Sequence, residues 1–369
     1  MIAGWLLVLA ASQMGGAPVK PNPVDVFVSK EDGVYEYRIP ALAVSNQGTL
    51  IAVCDGRMRR RGDLPNDINL VMKQSLDQGE TWGPLITIRD YPDWEGAGDP
   101  ALLCDRDTGC LWCAYDYGVP ASAKNRKRWL ALHVMASEDE GKTWSEPTDL
   151  TVRLKPAGFD YLVVGPGAGM QLGDGSLVFP TYMRREDGEL LSQLVYSRDH
   201  GKTWKLGPNT DVGTGEPTLV EREDGSLLMN MRTIKRVGHR LWCVSQGLDR
   251  EWSPVRGIPE LIAPGCMASF VQWTSPRDGG DKSRLLFSNP AHEKERRNLV
   301  VRLSYDEGGT WPVSKVIDEG SVSYSCLTIL KDKTVGLLYE GEHSRGEGVE
   351  RIQFVRFDLA WLTEGEDSF

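Results

Sequence analysis

Four arginines, Arg38, Arg57, Arg232 and Arg296, are candidates to meet, and any three of them could share one ligand. Guanidinium groups are suited to gripping one carboxylate through paired N–H···O bonds. Brought together without a ligand they would repel, so an anion is needed to offset the repulsion. Glu216 could deprotonate Tyr324, whose oxygen could then serve as nucleophile. A neutral phenol suits a substrate bearing a carboxylate on the carbon under attack, because a carboxylate nucleophile would be repelled. Asp63 lies in a Gly/Pro-bounded loop, Arg61-Gly-Asp-Leu-Pro, exposed enough to act as general acid. Asp67, in the same loop, is its rival, and Arg57 and Asp99 are further candidates for substrate contacts.

These residues can meet only if the fold closes on itself, and two repeats point to such a fold. The turn Ser-x-Asp-x-Gly-x-Thr-Trp occurs at Ser75–Trp82, Ser137–Trp144, Ser197–Trp204 and Ser304–Trp311, with a decayed copy at Ser245–Trp252. Its Asp can accept backbone N–H bonds, its Gly supplies a positive φ, and its Trp can bury a ring between sheets. It is a structural staple and carries no chemistry itself. A second repeat, a turn leading into an apolar strand, starts at Gln47, Thr108, Asp174, Asp224, Lys282 and Lys331. The spacing of roughly 50–65 residues suits a four-stranded blade. Period-two alternation such as Ile68, Leu70, Met72 marks strands, and no segment sustains a helical period. The expectation is an all-β, six-bladed β-propeller over residues 25–365, preceded by a tail or signal segment over 1–24.

Blade topology then gathers the candidates. The first strand of each blade starts, and the second ends, on one face of the ring. Arg38, Glu216 and Tyr324 stand at first-strand starts, and Arg57, Arg232 and Arg296 near second-strand ends. With Asp63 they converge on one mouth of the axis, and the Ser-x-Asp boxes fall on the opposite face.

Composition bounds the alternatives. The chain has 369 residues, 25% charged and 40% hydrophobic, with 40 Gly and 12 Trp, as expected of many short strands and tight turns. A net charge of −10 argues against a nucleic-acid partner. Cys110 and Cys113 form a lone C-x-x-C within a strand-like run and read as small buried hydrophobes; for the seven cysteines together no disulfide framework is expected. The five His have no metal-ligand spacing, and no phosphate loop or serine elbow is present. No cofactor is expected. Residues 3–11 are apolar and too short to span a bilayer; they suit the core of a secretory signal, although no Lys or Arg precedes them. A secreted or periplasmic monomer without a membrane partner is expected.

These motifs resemble the bacterial exo-sialidases, over nearly the whole propeller. Tyr37-Arg38-Ile39-Pro40 resembles the motif carrying the family's first triad arginine. Gly215-Glu216-Pro217 with Arg232 resembles its glutamate and second arginine, and Asn289-Pro290 with Arg296-Arg297-Asn298 its third. Tyr324-Ser-Cys with Gly336–Glu340 behind it resembles the nucleophile segment, and Asp55-Gly-Arg57 with Asp63 the acid/base segment. The resemblance implies a retaining exo-α-sialidase acting on sialylated glycans; sialidases are the exception among glycosidases in using Tyr as nucleophile. Two departures leave the sugar acid open: Asp99 stands where many members have Asn, and Ala168 where many have His. Both are expected near the mouth. A glycosidase for a related 2-keto-3-deoxy sugar acid and a non-catalytic glycan-binding propeller are the alternatives.

Overall fold

The computed structural model describes residues 18–121, 129–344 and 348–369. The apolar stretch 3–11 lies outside them. Six antiparallel sheets follow one another in chain order as the blades of a propeller.

In the first blade the order runs Glu36–Val44, Leu50–Arg57, Ile68–Ser75 and Ile86–Arg89. The second, fourth and fifth repeat this plan from first strands Gly96–Cys104, Thr214–Glu221 and Ser269–Thr274. In the sixth blade, Ser325–Ile329, Val335–Ser344 and Gly348–Phe357 are joined by Val24–Val28, the first described strand. The ring is thus closed by a strand from the opposite end of the chain, and the fold is held by backbone hydrogen bonds rather than by a covalent link.

The second strands are mostly buried, and Leu50–Arg57 and Arg284–Pro290 are buried along their whole length. They lie between neighbouring blades on both faces, so their sequences read as continuous apolar runs rather than alternating ones. Each begins just after the turn of the second repeat, at Leu50, Leu111, Leu177, Leu227, Arg284 and Val335.

The four intact boxes join third to fourth strands. In the first, Gly79 N donates to Ser75 Oγ at 2.8 Å and Thr81 N to Asp77 Oδ1 at 2.9 Å. Two successive residues, Gln78 and Gly79, adopt positive φ, and a Cβ at Gly79 would overlap the Phe354 ring of the sixth blade. Trp82 meets the same ring edge-on, with centroids 5.5 Å apart. The decayed copy differs: Asp249 leaves the turn and pairs with Arg198 at 2.7 Å and with Tyr196, both on the third blade. All seven cysteines are free thiols; five are buried, whereas Cys104 and Cys110 are half-buried, and Cys110 sits in the turn just before its strand. Among the described residues no helix is long and apolar enough to cross a membrane.

Candidate active site

Three first strands carry the same irregularity where they enter the site. Register shifts fall between Arg38 and Ala41, Gly98 and Ala101, and Gly215 and Thr218. At each, a non-glycine residue immediately before a proline has positive φ: Ile39 at 61°, Asp99 at 54° and Glu216 at 37°. Such backbone is costly for any residue, and most for β-branched Ile39. The bulge turns the side chains of these positions toward the axis.

A second repeated device clasps blade to blade. Opposite the residue before each bulge stand Asp55, Asp116 and Arg232, partners of Arg38, Gly98 and Gly215. Asp55 accepts Asp99 N of the next blade at 2.8 Å, and Asp116 accepts Val164 N at 2.8 Å. Glu340, near the end of the sixth blade's second strand, accepts Ile39 N at 2.7 Å and closes the circle.

Tyr324 stands at the centre. Its hydroxyl donates to Glu216 Oε1 at 2.6 Å, and Arg232 Nη1 reaches Glu216 Oε1 at 2.6 Å and the Tyr324 oxygen at 3.1 Å. The guanidinium groups of Arg38 and Arg296 flank the phenol ring, at 5.5 and 5.4 Å from its centroid. Arg38 is fixed by Glu340 at 2.6 Å and Arg296 by Ser323 Oγ at 3.0 Å. Burial pushes the Tyr324 phenol well above its ordinary value and Glu216 adds to this, whereas Arg232 and Arg296 oppose it. Burial likewise disfavours charge on Arg232, but Glu216 and Tyr324 more than compensate and hold it protonated. Among the described residues, Glu216 Oε2 and Arg232 Nε are buried and make no hydrogen bond within the protein. The structure therefore brings together Arg38, Arg232, Arg296, Glu216 and Tyr324, five residues from the first, fourth, fifth and sixth blades.

Asp63 lies in the loop after the first blade's second strand with its side chain 83% exposed, and Arg57 Nη2 donates to its Oδ1 at 2.6 Å. Arg57 is buried and does not join the arginines at Tyr324; Glu36 at 3.1 Å and Asp55 at 3.7 Å complete its carboxylate shell. Asp67 is 7% exposed and paired with Arg59 at 2.6 Å, facing away from solvent. Asp99 points into the region between Asp55, Asp63 and Glu216. Burial first, and then these carboxylates, push its carboxyl well above the ordinary range. Asp116 is raised chiefly by burial as well.

One expectation fails. Ala168 does not lie near the mouth. After Val164 the third blade's first strand breaks, and Gly167–Ala168 crosses to pair in parallel with Ala101 and Leu102 of the second blade. Ala168 thereby lines a cavity of about 680 Å³ at the far end of the axis, among Leu42, Leu102, Leu219, Phe270 and Leu327. Ile39, Cys266, Met267 and Tyr324 pack together between the two ends. None of the ionisable groups around Tyr324 lines this cavity, so the chemistry is assigned to convergent charge rather than to volume.

Sequence reading missed the orienting roles of Glu340, Asp55, Asp116 and Ser323. Aligning the blades by their second strands would have found the first three, since each stands near the strand end that carries Arg232 in the fourth blade. The three His/Asp groups able to approach one cation, Asp105, Asp107 and His200, lie away from Tyr324, and the Gln171 amide donates to both carboxylates at 2.9 Å.

Comparison with known proteins gives a consistent picture. The model of the BNR repeat-like domain family matches residues 48–339. A sialidase of Micromonospora viridifaciens is 35% identical over 95% of this chain and 57% of its own length. One of Bacteroides fragilis is 32% identical over 84% of this chain and 61% of its own. The chain thus spans about three fifths of the length of these curated relatives. Among solved structures, the Hadza microbial sialidase Hz136 superposes with a TM-score of 0.81 at 32% identity, covering 90% of this chain and 68% of that one.

Proposed function

Because the chain belongs to the sialidase family with BNR repeats, we propose that it is an exo-α-sialidase releasing terminal sialic acid from glycoconjugates with retention of configuration. The observation that carries this reading is the Tyr324–Glu216 hydrogen bond of 2.6 Å under three arginines.

Arg38, Arg232 and Arg296 hold the substrate carboxylate, which places the anomeric carbon over the Tyr324 oxygen. Asp63 gives its proton to the departing glycosidic oxygen while the phenol oxygen bonds to that carbon. The phenolic proton moves to Glu216. The cation-rich surroundings of Tyr324 stabilise the phenolate character that develops as this proton leaves. Water then attacks the same carbon, Asp63 takes the water's proton, and Glu216 returns the first proton to Tyr324. Two inversions at one centre leave the configuration retained.

The propeller from residue 25 to 365 acts as one catalytic domain. Export beyond the cytoplasm, for which the apolar stretch 3–11 is the motive, would bring it to sialylated glycans. The test is turnover of an aryl α-sialoside, followed by NMR of the first-released anomer. Release of the α anomer supports the reading; the β anomer, or no turnover of N-acyl and deaminated sialosides alike, excludes it.

A further inference from the structure

The loop that carries Asp63 holds a guanidinium that no carboxylate among the described residues neutralises. Residues 57–61 read Arg-Met-Arg-Arg-Arg in a chain of net charge −10. Arg57 is bound by Glu36 and Asp63, and Arg59 by Asp67. Arg60 is exposed and has no carboxylate within ion-pairing distance among the described residues. Its stem is nevertheless fixed. Arg60 Nε donates to Asn66 Oδ1 at 3.1 Å, and the guanidinium lies 4.7 Å from the centroid of Trp94. Asn66 is buried, and its amide donates back to Gly62 O at 3.0 Å, the carbonyl just before Asp63. Trp94 is 39% exposed and also carries Arg59 at 5.4 Å.

An ordinary surface arginine samples many rotamers, so an ion pair with it contributes little. Here an indole and an amide have already removed much of that freedom, while the residue as a whole stays exposed and its hydrogen bond to Asn66 uses Nε alone. Arg60 and Asp63 are three residues apart, about 10 Å at full extension. Asp63 protonates the oxygen that departs with the leaving group, so whatever stands beside Arg60 is the leaving group.

We propose that Arg60, clamped by Trp94 and Asn66, forms a subsite for an anionic group on the leaving sugar, so that the enzyme favours sialosides whose penultimate residue carries a carboxylate or sulfate. This rests on the sialidase reading. The charge comes from a second sialic acid or from a sulfated sugar, and the experiment separates them.

The test measures kcat/KM on three donors: a sialyl-sialyl disaccharide, a sialylated 6-sulfo sugar and neutral sialyllactose. For wild type, each anionic-to-neutral ratio should exceed one and shrink as salt screens the pair. In Arg60→Gln the ratio should fall about fivefold for at least one anionic donor, and the donor affected identifies the source. Arg60→Lys, which keeps the charge, should recover part of it. Ratios equal in wild type and Arg60→Gln on both anionic donors overturn the subsite. A wild type that hydrolyses none of the three, the neutral donor included, overturns the sialidase reading instead.

Discussion

Tyr324 and Glu216 stand 108 residues apart in sequence, and the phenol of one donates to the carboxylate of the other at 2.6 Å. Glu216 is held there by a strained bulge before Pro217, and Tyr324 N by Glu340 Oε2 at 3.1 Å. Neither side chain depends on a surface loop for its position, so the pair is preorganised.

Replacing Tyr324 with Phe removes the proposed nucleophile and leaves the packing against Ile39, Cys266 and Met267 intact. Turnover of an aryl α-sialoside should fall by about 10³-fold or more while the thermal midpoint changes little. Stopped assays with a slow fluorinated sialoside should trap label on Tyr324 in wild type alone.

Asp63 and Asp67 can be told apart by the leaving group. A protonated acid matters most when the departing oxygen is basic. Asp63→Asn should lower kcat on sialyllactose by about 10²- to 10⁴-fold, and far less on an aryl sialoside with an acidic phenol. Asp67→Asn should show no such difference between donors, since its carboxylate is spent on Arg59.

On the proposed reading, Glu340 bears on substrate through Arg38, which it fixes at 2.6 Å. Glu340→Gln leaves the buried guanidinium without its counter-charge, which costs about 3 kcal/mol of stability. With Arg38 loosened, KM should rise about tenfold and kcat change less. Chemical denaturation and steady-state kinetics on the same preparation check both parts.

A box glycine tests the separation of scaffold from site. Gly79→Ala meets both a positive φ of 91° and the Phe354 ring. The expected loss is about 2–4 kcal/mol in unfolding free energy. Activity per folded molecule should stay near wild type, because the box lies on the face away from Tyr324.

Stability should pass through a maximum in mild acid. Thr81, Thr143 and Thr203 hydroxyls hold Asp77, Asp139 and Asp199 at about 2, below the unfolded carboxylate value. Their contribution is present above roughly pH 4 and is lost as pH falls toward 2. Asp55 has the opposite sign. Burial pushes it up to about 7, so the folded state holds a proton that the unfolded chain has released, and stability declines between roughly pH 4 and 7. Urea midpoints across pH 2–8 should show both limbs, and Asp55→Asn should make the upper one shallower without abolishing it, because buried Asp99 and Asp116 are raised in the same direction.

The architecture was legible because propeller blades repeat. Six turn-strand units and four boxes mark the register, and register alone sends first-strand starts and second-strand ends to one face. Arg38, Glu216, Arg232 and Tyr324 followed from it. The reading failed where the repeat breaks: the third blade's first strand is interrupted after Val164, and Ala168 is carried down the axis into the second blade's sheet. It placed Glu340 behind Tyr324 but was silent on its hold over Arg38, 302 residues away, because a carboxylate at a strand end has no local pattern that names its partner.

By itself, then, the sequence determined the blade count, the strand register and the residue types at the mouth, since these depend on local turn chemistry and on period-two alternation. Tertiary structure alone decided which charges meet. Only ring closure places Glu216 under Tyr324, separates Arg57 from the other arginines and buries Asp67 while leaving Asp63 in water. Those outcomes depend on distances between blades and on bulges that turn single residues inward, and neither is encoded in any local spacing.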